Sequence, residues 1–109
     1  MKQYEIWWAN LPAPAGRRPV LLLGRNSGYE YLNKFVVVEI TTTIRGIAEE
    51  VRLGRREGLR KPCAANCDNL RTLPRSALVK RAGALSRERH VEVKRAVGHA
   101  LAWGELIEL

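Results

Sequence analysis

The chain has 109 residues, room for one domain (1–109) on a modest core and too few for two sizeable lobes. Its 19 Lys+Arg stand against 11 Asp+Glu, a net charge of +8 that points to a polyanionic or acidic partner. No run reaches the ~18 apolar residues of a membrane helix, and Met1-Lys2-Gln3-Tyr4-Glu5 lacks the apolar segment of a signal peptide, so no membrane association and a cytoplasmic location are expected.

Glu5-Ile6-Trp7-Trp8-Ala9 is aromatic and β-branched and predicts a first strand, which Asn10 to Gly16 breaks with two prolines and a glycine. Pro19 opens a second strand over Val20 to Gly24, apolar throughout as a strand covered on both faces would be. Asn26-Ser27-Gly28 ends it. Phe35 to Thr41 is the third strand, the strongest by propensity, and Arg45-Gly46 marks the turn after it. Glu49 to Leu53 alternates charged and apolar residues as an exposed strand does, and Gly54 and Gly58 punctuate an arginine-rich turn. Residues 61–67 read as a short extended segment and 68–73 as a separate strand or loop, with one helical turn over 74–78. Val79 to Leu85 is the last strand. Ser86 is the expected N-cap of a helix with Glu88 in its first turn, Val93, Ala96, Val97, Ala100 and Leu101 on one face, and Gly104 at its end. The fold class expected from this order is mainly β with a C-terminal helix: a small, strongly bent antiparallel sheet or half-open barrel.

Charge and hydroxyls meet at the mouths of the second and third strands. Arg17-Arg18 precedes Pro19, and Thr41-Thr42-Thr43 closes the other strand. A guanidinium fork matches phosphate oxygens, and a threonine hydroxyl adds a hydrogen bond without charge. Residues 45–95 hold 14 basic and 6 acidic groups, so most of the excess charge lies in the middle. Cys63 and Cys67 are four apart, but tetrahedral zinc needs more ligands and His90 and His99 lie in another element, so no metal and no cofactor is expected. Trp7 and Trp8 are adjacent in a strand and point to opposite faces; one belongs to the core, the other to the core, a groove or a dimer contact. Tyr29 and Tyr31 are candidates to stack on bases.

Four motifs in order carry a family resemblance: Glu5-Ile6-Trp7-Trp8-Ala9-Asn10-Leu11, Gly16-Arg17-Arg18-Pro19-Val20-Leu21, Ile40-Thr41-Thr42-Thr43-Ile44-Arg45-Gly46 and Cys67-Asp68-Asn69-Leu70-Arg71-Thr72-Leu73. Together they resemble the MazF/PemK (Kid) family of bacterial toxins over nearly the whole chain. The resemblance implies an SH3-like barrel, a homodimer and a sequence-specific, ribosome-independent endoribonuclease held inactive by a cognate antitoxin. The implied substrate is single-stranded RNA, messenger RNA first with transfer or ribosomal RNA also open. The implied chemistry needs no metal: the ribose 2′-hydroxyl attacks the adjacent phosphate and leaves a 2′,3′-cyclic phosphate and a 5′-hydroxyl.

By the resemblance, Arg18 is a phosphate clamp and Thr41 hydrogen-bonds the same phosphate. A guanidinium holds its proton to above about pH 12, so charge stabilisation suits Arg18 better than proton donation. The chain departs from the family where Gly16 runs almost directly into Arg17-Arg18, without the longer loop whose His or Glu assists proton transfer. In the Kid branch an arginine and an aspartate flank a cysteine; here the triplet is Asn66-Cys67-Asp68, so only the aspartate matches. Asp68 is the candidate general base, with a turn-forming role as its alternative. Arg17, Thr42, Thr43, Arg45, Asn66 and Arg71 are the candidate RNA contacts, and an acidic C-terminal segment of the antitoxin is expected to cover the arginine-rich loops. Two other functions stay open on the sequence: a CcdB-like gyrase poison, suggested by Trp103-Gly104 near the end, and a nucleic-acid-binding module that has lost cleavage.

Overall fold

A computed structural model describes residues 1–109. Six antiparallel strands form one sheet: β1 (Glu5–Asn10), β2 (Arg17–Leu22), β3 (Lys34–Thr41), β4 (Glu50–Leu53), β5 (Cys63–Pro74) and β6 (Leu78–Ala84), in the order β4-β5-β3-β2-β1-β6. Helix α1 spans His90–Leu101 and a short α2 spans Gly104–Ile107. The mainly β class with a C-terminal helix, and the curled half-barrel, are as the sequence implied.

The curl comes from a close approach between the two edges. The single turn Arg55–Glu57 after β4 lies against β6, where a Cβ on Gly58 would come within 2.1 Å of the Ala82 carbonyl oxygen. Gly58 has φ +90°, so glycine is required there both for conformation and for space. The same turn is tied to the helical end of the chain. Buried Glu57 accepts the Gly54 amide hydrogen at 2.6 Å and pairs with Arg89 at 3.2 Å, and Arg89 also donates to Glu92 and to the Arg52 carbonyl.

Two apolar clusters lie on opposite faces of the sheet, as strand alternation demands. Ile6, Leu21, Val38, Ile40, Val51 and Leu53 pack inside the curl, with Val93 and Ala96 of α1 sealing them. Ala9, Val20, Leu22, Phe35, Val37 and Leu73 form the second cluster. Val20, Leu21 and Leu22 are all fully buried, which confirms β2 as a strand covered on both faces.

Several expectations are corrected. Residues 61–67 and 68–73 are not separate segments but belong to the one twelve-residue strand β5. The helix does not start at a Ser86 cap: one tight turn over Arg87–Arg89 comes first, and the Ser86 side chain makes no capping bond. Nor does Gly104 end it. Ala102, with φ +57°, terminates α1, and Gly104 begins α2. Tyr29 is buried in the second cluster, tilted against Phe35, and is no stacking platform for RNA. Tyr31 is exposed but sits in the β2–β3 connection, at the opposite end of β2 from Arg17 and Arg18.

Candidate active site

The β2–β3 register sets the centre of the site. Val20 pairs with Glu39, Leu21 with Val38 and Leu22 with Val37; carried two residues toward the open end, it places Arg18 opposite Thr41. On the other side Arg18 pairs with Ala9 of β1. Its Nε donates to the Ala15 carbonyl at 3.4 Å, a long bond that fixes the guanidinium at the rim and leaves both terminal nitrogens free. The Thr41 hydroxyl accepts the Thr43 amide hydrogen at 3.1 Å. Its own hydrogen is thereby left free to donate to a ligand.

Two cavities flank this pair. One, of about 390 Å³, is lined by Trp8, Arg17, Pro19, Ile40, Leu59, Arg60 and Lys61 among others; the second, of about 360 Å³, is lined by Arg18, Glu39, Thr41, Thr43, Arg45, Asn66, Asp68 and Asn69. Arg18, Thr41 and Thr43 line both. The first cavity has an apolar floor with cations at its rim. The second is polar throughout.

The polar cavity originates in a bulge. On β3, Val38 pairs with Leu70 and Ile40 with Ala65, so residues 66 to 69 of β5 stand opposite Glu39 alone. Such an insertion bends the strand and re-aims its side chains. It brings Asn66, Asp68 and Asn69 beside Glu39. Asn66 is buried and its Oδ1 accepts the Asp68 amide hydrogen at 3.0 Å, which holds the bulge in shape. The Asp68 carboxylate is exposed and takes no hydrogen bond or ion pair within the chain, whereas Glu39 is paired with Arg71 at 3.0 Å.

The candidate residues therefore fall into groups. Arg18, Thr41, Thr43, Arg45, Asn66 and Asp68 share the polar cavity; Arg17 and Thr42 line only the apolar one. Arg71 lines neither and is engaged by Glu39 instead. Arg45 is set by Glu50, whose carboxylate accepts the Arg45 amide hydrogen at 3.1 Å and that of Gly46 at 2.9 Å. Arg17 lies 5.7 Å above the Trp8 ring. Trp7 points to the other face, and its indole N–H donates to Glu5 at 3.0 Å. Cys67 is buried, and burial, with Asp68 and Glu49 nearby, pushes its thiol up to about 12, so it is no nucleophile at neutral pH.

Glu39 and Asn69 were missed by sequence reasoning. The signal for Glu39 was present: it is the one charge inside the apolar run Phe35–Ile40, and a charged residue in a buried strand asks for a partner or a role.

Residues 2–101 match the family described as PemK-like, MazF-like toxin of type II toxin-antitoxin system. The chain is 39% identical over 90 residues to the probable endoribonuclease MazF2 of Mycobacterium tuberculosis, covering 82% of this chain and 86% of that protein. It is 37% identical over 83 residues to the endoribonuclease MazF3 of the same organism, covering 76% and 81%. Among solved structures, Mycobacterium tuberculosis toxin MazF-mt6 superposes with a TM-score of 0.84 at 35% identity, covering 90% of this chain and 96% of that one. A mycobacterial endoribonuclease solved in complex with its cognate antitoxin shares the fold, with a TM-score of 0.82 at 24% identity over 94% of this chain and 96% of that one.

Proposed function

The chain belongs to the PemK-like, MazF-like toxin family, and from that premise we propose that it is an endoribonuclease cutting single-stranded RNA at a phosphate held between Arg18 and Thr41. The observation that carries this reading is the Arg18–Thr41 juxtaposition, with a free guanidinium fork facing a hydroxyl whose acceptor side is already occupied. Two preset donors at one point suit the extra negative charge of a phosphorane-like transition state.

In the proposed reaction the ribose 2′-oxygen attacks phosphorus as the bond from phosphorus to the 5′-oxygen breaks. The nucleophile comes from the substrate, so no metal-bound water is needed. Asp68 takes the 2′-hydroxyl proton, as the unpaired carboxylate in the cavity that Arg18 and Thr41 line. Arg18 and Thr41 stabilise the charge, and the departing 5′-oxygen takes a proton from solvent. Asp68 thereby does the work that a His or Glu in a longer loop before Arg17 would do.

Recognition of RNA falls to Arg17, Thr42, Thr43, Arg45 and Asn66 around the two cavities, with Arg71 acting through Glu39. An acidic, disordered antitoxin segment would inhibit by lying over the unpaired cations Arg45, Arg60 and Lys61, which removes the field that RNA uses. A homodimer working in the cytoplasm completes the reading, and no helix is long and apolar enough to cross a membrane. The test is incubation with a long single-stranded RNA in the presence of a chelator. Discrete cuts support the proposal; intact RNA that is nonetheless tightly bound identifies a binding module instead.

A further inference from the structure

Resting on that nuclease reading, we propose that the apolar cavity is a nucleobase-stacking subsite, with Trp8 as its platform, for a nucleotide adjoining the cleaved phosphate. Trp8 pairs with Pro19, one residue from Arg18; alternation starts the two side chains on opposite faces of the sheet, yet at its open end both line the same cavity, which brings the indole near the phosphate position. Both tryptophans of the adjacent pair are half-buried, but Trp8 lines the cavity while Trp7 packs on the other cluster. Ile40, Leu59 and Pro19 supply apolar walls, and about 390 Å³ is space for a planar base with part of its ribose.

The rim sets the class of ligand. Arg17, Arg18, Arg60 and Lys61 line the cavity together with no carboxylate. A flat uncharged base attached to anionic phosphates satisfies both parts of such a site; an apolar ligand satisfies only the floor. The Arg17 guanidinium, 5.7 Å from the Trp8 ring centroid, places a cation beside the ring, where it can pair with the phosphate of a nucleotide whose base covers the indole. An acidic peptide bearing an aromatic side chain has similar chemistry. RNA is favoured because Arg18, Thr41 and Thr43 are walls of this cavity and of the polar one, so a phosphate bound there has the Trp8 face within one nucleotide's reach.

The probe is a short single-stranded RNA spanning a mapped cut, made uncleavable by 2′-deoxyribose at the cut nucleotide. It is compared with versions abasic at each flanking position, against the wild-type protein, Trp8→Leu and Trp8→Tyr. One abasic version is expected to bind the wild type about 5- to 100-fold more weakly, the loss of one base–aromatic stack. Trp8→Leu should lose a similar factor on the intact RNA and almost nothing further on that abasic version, while Trp8→Tyr recovers most of the affinity. Equal losses on intact and abasic RNA, or an unchanged RNA affinity in Trp8→Leu with only antitoxin binding weakened, would overturn the subsite and leave the nuclease standing. Should Trp8→Leu not fold, unchanged wild-type affinity for both abasic versions overturns it equally. A wild-type protein that neither cuts nor binds RNA removes both readings.

Discussion

Arg18 and Thr41 line the same two cavities just beyond the last β2–β3 pair, Val20 with Glu39, and the Thr41 hydroxyl accepts the Thr43 amide hydrogen, which leaves its own hydrogen free to donate. Removing either donor should lower single-turnover cleavage by about 10²–10³-fold, the usual cost of one preset oxyanion donor. Arg18→Lys keeps the charge but loses the fork, so it is expected to fall close to Arg18→Ala. Thr41→Ser should retain most of the activity that Thr41→Val loses. Melting temperatures of all four variants should stay near wild type, because neither side chain belongs to a core cluster.

The two carboxylates of the polar cavity are distinguishable. Asp68 is unpaired and Glu39 is engaged by Arg71. Asp68→Asn is expected to lower the chemical step by about 10²-fold or more, within the range of general-base catalysis. Glu39→Gln should cost less and should release Arg71. A chemical step unchanged in Asp68→Asn and slowed about 10²-fold in Glu39→Gln would exchange their roles.

Gly58 links the edges of the sheet. Its φ of +90° and the 2.1 Å approach that a Cβ would make to the Ala82 carbonyl mean that Gly58→Ala forces backbone to move. A loss of about 2 kcal/mol or more is expected, seen as a fall in melting temperature of roughly 8 °C or more. Arg60 and Lys61 follow on the same connection, so RNA binding should weaken as well.

Arg89 joins the β4–β5 turn to the helix through Glu57 and Glu92. Its hydrogen bonds, opposed by partial burial, hold the Glu92 carboxyl below its ordinary value. A depressed carboxylate contributes stability that is present above its unfolded value, near pH 4.3, and is lost as pH falls through the lower folded value. Arg89→Leu also leaves Glu57 buried without its cation, which should cost about 2–3 kcal/mol at pH 7. Thermal melts should show the gap between wild type and variant narrowing as pH falls below about 4.3 and through the lower folded value of Glu92.

Most strands were legible because propensity and prolines are local properties; the arginine pair and the threonine triplet stood out as charge and hydroxyls at two strand ends, and the family resemblance singled out Arg18 and Thr41 among them. The sequence did not make β5 legible. Residues 61–67 read as a short extended segment and 68–73 as a separate strand or loop, yet the partners β3 and β4 draw both into one strand, in which residues 66–69 bulge opposite Glu39 of β3 while Asn66 still pairs with Glu50 of β4. The polar cavity therefore depends on a register that no single segment encodes. Tyr29, named with Tyr31 as a candidate to stack on bases, is instead covered by Phe35 and the second cluster, a contact that only the folded sheet makes. The β6 contact with Gly58, which sets the turn before Arg60 and Lys61, is likewise visible only once the sheet curls.

The central claim is that Arg18 and Thr41 hold a phosphate while the neighbouring 2′-hydroxyl attacks it. The most direct test is end-group analysis of RNA cut in excess chelator, with a matched substrate carrying a single 2′-deoxyribose at the cut nucleotide. The account predicts 2′,3′-cyclic phosphate and 5′-hydroxyl ends, no cleavage of the deoxy substrate, and loss of the cut in Arg18→Ala. Cleavage of the deoxy substrate, or products ending in a 5′-phosphate, would contradict it.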